Sequence, residues 1–350
     1  MHQRNRTIKN ALILVAILAG GLLATGPAFS QTLKLTTVVP EGSHWMVKMR
    51  EGASKIDERT EGRVEIKLYG GGVQGRNARQ VQRKMRTGQL HGGVFTAGEL
   101  AVFQKDAGMY AMALMFNDLD EARHVRRAFD AELERRLEDA GYVSFGFASG
   151  GFGYLMSNQP VSRIEDLNGN KVWTPEGDEV SFAAFKALGI APVMMPITDV
   201  LTGLQTDLLD SVVVPPVGAI VFQWHTRLKY ITDLPVAYTY GTLIIDAKSF
   251  SRLSEPDQAI VREELEAIYK RFDEGGVADN REALDGLLET GLQMVQPTQG
   301  QVPEWREKIV ASQIEQAKQG AFDLALFERM RELLTEYRAE IRADQASGSP

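Results

Sequence analysis

An α/β fold with a parallel sheet and covering helices is predicted by three features of this 350-residue chain. Short runs with apolar residues at every second position alternate with runs at helical spacing, and the switch recurs along the chain. Glycine and proline clusters stand between the runs. The composition, 44% hydrophobic and 24% charged, is that of a globular protein and excludes disorder, collagen-like repeats and coiled coil.

Leu33, Leu35, Thr37 and Val39 alternate as a strand does and stop at Pro40-Glu41-Gly42. Trp45, Met49, Ala53 and Ile56 follow at helical spacing up to Thr60-Glu61-Gly62. Val64, Ile66 and Leu68 alternate again before the Gly70-Gly71-Gly72 break. Strand, helix and strand in such close succession form the unit of a parallel sheet. A helix is expected from Asn77 to Arg86, a strand at Gly93 to Thr96 and a charged helix from Asp118 to Ala140. The arginines of that last helix interleave with Glu132, Glu134 and Glu138, as on a solvated face.

The second half continues in the same manner. Val143 to Ala148 and Tyr154 to Asn158 read as strands, and Ile164 to Gly169 as a helical turn leading into Lys171 to Thr174. Glu179 to Leu188 reads as a helix closed by Gly189, and Pro192 to Met195 as a strand. Thr198 stands as N-cap to a helix from Asp199 to Gln205, and Ser211 to Val214 is a buried strand. Ser254-Glu255-Pro256-Asp257 starts a helix with proline in its first turn, and the stripe Ile260, Val261, Leu265, Ile268, Tyr269 and Phe272 carries it past Gly275-Gly276 toward Leu292. The tail from Pro303 to Ala343 is helical, and Ser347 to Pro350 is expected to fray.

The first thirty residues read as a secretory leader. Arg4, Arg6 and Lys9 precede an apolar run from Ala11 to Ala24, and Ala28-Phe29-Ser30 offers small residues ahead of cleavage near Gln31. The run is shorter than the roughly 20 residues needed to span a bilayer, so the product is expected to be periplasmic and not membrane-embedded. Cleavage would move the net charge from -7 to -10, since three basic residues leave with the leader. An acidic chain has no footprint for nucleic acid. With no cysteine and five scattered histidines, thiolate metal sites, disulfides and cysteine nucleophiles are excluded, and no metal or cofactor is expected.

The segments Thr37-Val38-Val39-Pro40-Glu41-Gly42-Ser43, Val64-Glu65-Ile66-Lys67-Leu68-Tyr69 and Leu167-Asn168-Gly169-Asn170-Lys171-Val172 resemble the solute-binding proteins of tripartite ATP-independent periplasmic (TRAP) transporters, the DctP-like family. The match is densest from Leu188-Gly189 to Pro196, then through Asp199-Val200-Leu201, Leu204-Gln205-Thr206 and Leu209-Asp210. The resemblance implies a two-lobed periplasmic binding protein with crossing hinge strands and a long helix spanning both lobes. Lobe I would comprise 31–154 with 241–285, and lobe II 155–240 with 286–345. It also implies a small organic solute held between the lobes, delivered to the small and large membrane subunits of an ion-gradient-driven permease. A ligand-presenting protein for a signalling receptor would share the fold.

Three positions depart from the family pattern. Relatives place a carboxylate-pairing arginine in the strand after the Leu-X-Gly-X-Lys turn, where this chain has Trp173. A second common arginine falls at Gly153, and a polar residue, often asparagine, at Val214. A buried carboxylate without a charge partner is costly, so these changes favour a ligand that is neutral or largely apolar at that end, with Trp173 offering a ring face. The alternative is a carboxylate held by another arginine. Arg76 is the first candidate and Arg227 a weaker one. Tyr154, Trp45, Thr96, Pro215 and Trp224 complete the expected substrate-binding set. Enzyme signatures such as Gly-X-Ser-X-Gly, His-Glu-X-X-His and the phosphate-binding loop are missing from the sequence, and no catalytic residue is assigned.

Overall fold

The fold is described from a computed structural model that covers residues 30–347. The expected leader, apart from Ser30, therefore lies outside the described residues, as do the last three residues of the expected frayed end. β1 (Gln31–Thr36) and β2 (Val64–Tyr69) pair in parallel with Leu33 opposite Ile66 and Leu35 opposite Leu68. The helix between them, α1 (His44–Arg59), is capped by Ser43, whose hydroxyl accepts from the Met46 N–H, and buries Met46, Met49 and Ile56. α2 (Ala78–Arg86), capped by Asn77, leads into β3 (Gly92–Thr96), the short α3 (Ala97–Leu100) and α4 (Leu119–Asp139). β4 (Tyr142–Ser144) and β5 (Ala148–Ser157) follow. The single strand expected over 143–148 is thus divided, because Gly146 takes φ +94°.

β6 (Trp173–Pro175), α5 (Glu179–Ala187), β7 (Val193–Met195), α6 (Val200–Gln205), β8 (Ser211–Val214) and α7 (Pro216–Val221) form the middle of the chain. β9 (Tyr230–Asp246) and α8 (Ala247–Phe250) precede the long α9 (Glu255–Glu289); β10 (Gln293–Val295), α10 (Gln301–Lys318) and α11 (Leu324–Ser347) close it. The main sheet runs β2-β1-β3-β9-β5-β8, with β4 and β10 also on β9, while β6 and β7 make a parallel pair of their own. β9 is the element that crosses. Its end from Gly241 to Ile245 pairs with β3, and from Tyr230 to Gly241 it runs antiparallel to β5, whose far end meets β8.

α9 spans both halves. At 35 residues it is long enough to extend about 52 Å at helical rise. Val261, Leu265, Ile268 and Tyr269 join the core of Leu33, Leu35 and Met49, whereas Leu287 joins that of Trp173, Val212 and Trp224. Midway along, its backbone presses on β5: a Cβ at Gly276 would stand 2.2 Å from the Ser149 carbonyl oxygen. One turn on, the Asn280 amide donates to the carbonyls of Gly150 and Gly276, both at 2.7 Å, and its oxygen accepts from the Val217 N–H. The helix is thereby fastened to a crossing strand and to the start of α7.

Four expectations are corrected. The main sheet is mixed and not parallel throughout, because β9 runs antiparallel to β3, β4 and β5, and β5 antiparallel to β8. Thr198 does not cap α6; it sits in a 3₁₀ turn begun by Pro196, and its hydroxyl donates to Asp199. The tail is two helices, because Gly320 at φ +84° ends α10. α11 then packs Leu326, Phe327 and Met330 against Phe129 and Leu133 of α4, within the core of residues 78–137. α4 is also more than a solvated face. Arg126, buried, donates to the Tyr238 hydroxyl and the Phe147 carbonyl and pairs with Asp130 and Asp273, and Arg136 pairs with Asp106, Glu132 and Asp323.

Two outcomes are expected. Gly275 has nothing within 4 Å of a prospective Cβ, so Gly275→Ala should stabilise the protein by roughly 0.5 to 1 kcal/mol through helix propensity. Gly276→Ala should instead cost about 1 to 3 kcal/mol as α9 is pushed off β5, and urea unfolding of the pair reads the opposite signs. Glu134 is half-buried on α4, and burial, with repulsion from Asp130, Glu266 and Glu138, pushes its carboxyl up to about 7. The folded state then retains a proton that the unfolded chain releases, so this group lowers stability as pH rises from the ordinary glutamate range through about 7. Glu134→Gln should flatten that part of the profile, and urea unfolding at about pH 5 and about pH 8 would reveal it.

Candidate functional site

The loops at the ends of β1, β3, β6 and β8 converge on a cavity of about 470 Å³, within the size range of small-ligand pockets. The turn after β1, Arg76 ahead of α2 and the Thr96–Glu99 turn form one side. β6 with its turn into α5, the Val214–Pro215 corner and Trp224 form the other, and the crossing strands with α9 complete the wall. The two sides touch at several points: the Asp178 carboxylate lies over Gly98, and Thr198 lies against Gly72.

Trp173 is both core and wall. It is buried, packs edge-on to Trp224 with ring centroids 5.1 Å apart, and donates its indole N–H to the Met195 carbonyl at 3.0 Å. Its one polar atom is therefore held by β7, and what faces the cavity is hydrocarbon ring. Phe222 stacks on Trp224 behind it. Across the cavity Trp45 stacks on Phe272 of α9 at 5.5 Å. Val214 is buried and lines the wall beside Pro215, which precedes the first turn of α7. Thr96 lines it too, but its hydroxyl and N–H are both given to Glu99, in a capping box around α3.

Two expected positions fall outside the lining. A Cβ at Gly153 would meet Val213 Cγ1 at 3.1 Å and the Val214 nitrogen at 3.4 Å, so that position faces β8. Tyr154 packs between cores, and Leu155, the next residue of β5, faces the cavity in its place. The cause is the two-residue period of a strand combined with bulges on either side of Tyr154. Arg76 lines the cavity at its exposed rim, with its Nη1 at 3.1 Å and 3.2 Å from the two carboxylate oxygens of Asp199. Arg227 is exposed and does not line the cavity.

Phe272, Phe185, Leu155 and Trp305 also line the cavity and were not singled out from the sequence. Phe272 lay in the recognised stripe of α9, but nothing local distinguishes a stripe residue that faces core from one that faces a cleft. Glu99 and Asp178 were missed as lining acids. Both are buried, and burial raises each carboxyl above its ordinary range, with Asp178 adding repulsion at Glu99. Among the described residues no group of three or more histidine or acidic side chains could hold a metal ion. Among them, too, no helix is long and apolar enough to cross a membrane.

Residues 35–319 match the family model of DctP, the bacterial extracellular solute-binding proteins of family 7. The 2,3-diketo-L-gulonate-binding periplasmic protein YiaO of Escherichia coli is 24% identical over 301 residues, covering 83% of this chain and 88% of its own length. A TRAP periplasmic solute-binding protein of Haemophilus influenzae, solved with bound L-gulonate, superposes with a TM-score of 0.77 at 20% identity, covering 86% of this chain and 99% of that one. The sugar acid binding protein DctPAm of Advenella mimigardefordensis, solved with galactonate, gives a TM-score of 0.79 at 18% identity over 88% of this chain and 98% of that one.

Because Arg76 and Asp199 form an exposed pair, their attraction is expected to contribute no more than about 1 kcal/mol to holding the rim together. Arg76→Ala should therefore weaken binding of a compound that raises the melting temperature by at most about fivefold, read by calorimetry. A loss of about a hundredfold or more would mean that the guanidinium leaves Asp199 to meet the ligand.

Proposed function

The chain belongs to the bacterial extracellular solute-binding protein family 7, the binding subunits of TRAP transporters, and on that premise we propose that its cleft takes a ligand that is uncharged and largely apolar where it meets Trp173. The family captures solutes for transport and is not enzymatic. The observation that carries the reading is Trp173 itself, whose N–H is already committed to Met195; on the family resemblance, most relatives would place an arginine here. Val214 beside it is apolar, and the one arginine of the lining is paired with Asp199 at the rim. A carboxylate against this wall would lose its hydration without a compensating charge, at a cost of several kcal/mol.

The protein is exported with cleavage near Gln31, and it passes its solute to the small and large membrane subunits of an ion-gradient-driven permease. Its lobes are 31–154 with 241–285 and 155–240 with 286–345, α11 packing back on the first. They close on the ligand because contacts with both sides exist only in the closed state.

A thermal-shift screen of sugar acids, dicarboxylates, neutral aromatics, polyols and sterols tests the ligand class, since a ligand specific to the folded state raises the melting temperature by mass action. Compounds with apolar bodies are expected to stabilise the protein, and sugar acids are not. Trp173→Phe retains a ring and should lose about tenfold in affinity or less, whereas Trp173→Arg buries an unmatched guanidinium and should lose about a hundredfold or more. Tighter binding of a sugar acid by wild type than by Trp173→Arg would overturn the reading.

A further inference from the structure

The apolar cavity has one polar corner, where the turn from β6 into α5 folds over the Thr96–Glu99 turn. Glu99 comes from one side and Asp178 from the other, with Asp178 packed over the Cα of Gly98. Glu99 uses Oε2 to accept from the Thr96 N–H and hydroxyl, and among the described residues no donor reaches Oε1. Asp178 accepts from the Ser181 N–H on one oxygen and the Ser181 hydroxyl on the other, and from the Val180 N–H as well. Two carboxylates with seven and nine per cent of their residue surface exposed thus keep lone pairs unfilled. An independent observation comes from Thr174, which lines the same cavity. It is fully buried, and its Oγ1 has no hydrogen-bond partner among the described residues.

The charge of the lining points the same way. Glu99, Glu176, Asp178 and Asp279 stand against Arg76 and His44, and Arg76 is already met by Asp199. Buried carboxylates facing each other cannot both ionise cheaply unless a cation comes between them. A cationic group on the ligand would let both ionise together, and no metal-binding cluster is found among the described residues. We propose that Glu99, Asp178 and Thr174 form a head-group subsite that takes the protonated amine of an otherwise apolar ligand. An ammonium supplies three donors, which match the free acceptors of Glu99, Asp178 and Thr174, while the aromatic walls of Trp173 and Trp45 hold the hydrocarbon body. The inference rests on the apolar reading of the cavity and names the ligand's other end.

The test is calorimetry with two matched series that share a skeleton and differ in head group: phenethylamine, phenethyl alcohol and hydrocinnamate, and hexylamine, hexanol and heptanoate. In at least one series the amine should bind tenfold or more tightly than the alcohol, with the carboxylate weakest. Glu99→Gln keeps the capping acceptor and Asp178→Asn keeps the cap of α5. Each should cut the amine's affinity at least tenfold and leave the alcohol's within threefold. Thr174→Val removes a hydroxyl that bonds nothing among the described residues, so it should weaken the amine without lowering the melting temperature of the unliganded protein. Alcohols that bind as well as amines, or amine binding indifferent to Glu99→Gln and Asp178→Asn, would overturn this inference and leave the apolar cleft standing. Tightest binding by the carboxylates, or no binding by any member of either series, would overturn both.

Discussion

Everything in the molecule hangs on the contact between the backbone of α9 at Gly276 and the backbone of β5 at Ser149. With no side chain at that position, the helix comes within reach of the strand's carbonyls, and Asn280 completes the junction by bonding Gly150 and the first turn of α7. Both crossing strands pass here, since β5 pairs with β9 along its length. The core of Leu33 and Leu265 forms on one side of the junction and the core of Trp173 and Leu287 on the other. The two sides of the cavity are therefore joined through a stack of main chain.

The wall of the cavity is likewise held by the protein's own contacts. Trp173 occupies the wall by packing on Trp224 and bonding Met195, so its place is held by the protein without help from a ligand. An arginine there would need an anion to satisfy it, whereas the indole is satisfied before anything binds. The charged groups that remain have been moved to the margins. Arg76 and Asp199 meet across the rim in water, and Glu99 and Asp178 sit in a corner where they also cap α3 and α5. Electrostatics at the rim is screened and weak, while in the corner each unpaired lone pair counts.

The alternation of periods along the chain determined the order of many of the strands and helices and the extent of the long helix, because the two-residue and 3.6-residue repeats are imposed by backbone geometry wherever one face is buried, but it gave no sign of β9, β10 or α7. Three helix starts were legible for the same local reason: Asn77, Asp118 and Ser254 each bond an N–H three residues on, although Thr198, the one residue expected as an N-cap, does not cap. Trp173 and Val214 were legible as letters in segments that resemble a family pattern, and both line the cavity. What the letters could not decide was direction and company. Bulges on either side of Tyr154 in β5 left Gly153 and Tyr154 turned away from the cavity and Leu155 toward it. Gly146 and Gly320 broke elements whose apolar pattern ran straight through them. Arg126, one charge among many on a helix that looked solvated, became a buried clamp on Phe147 and Tyr238. Glu99 and Asp178, 79 positions apart in the chain, became neighbours only when two turns met over Gly98. Local chemistry depends on residues near in sequence and can be read from it. A site made by the docking of two sides depends on pairs far apart in the chain, and only the closed tertiary structure brings those together.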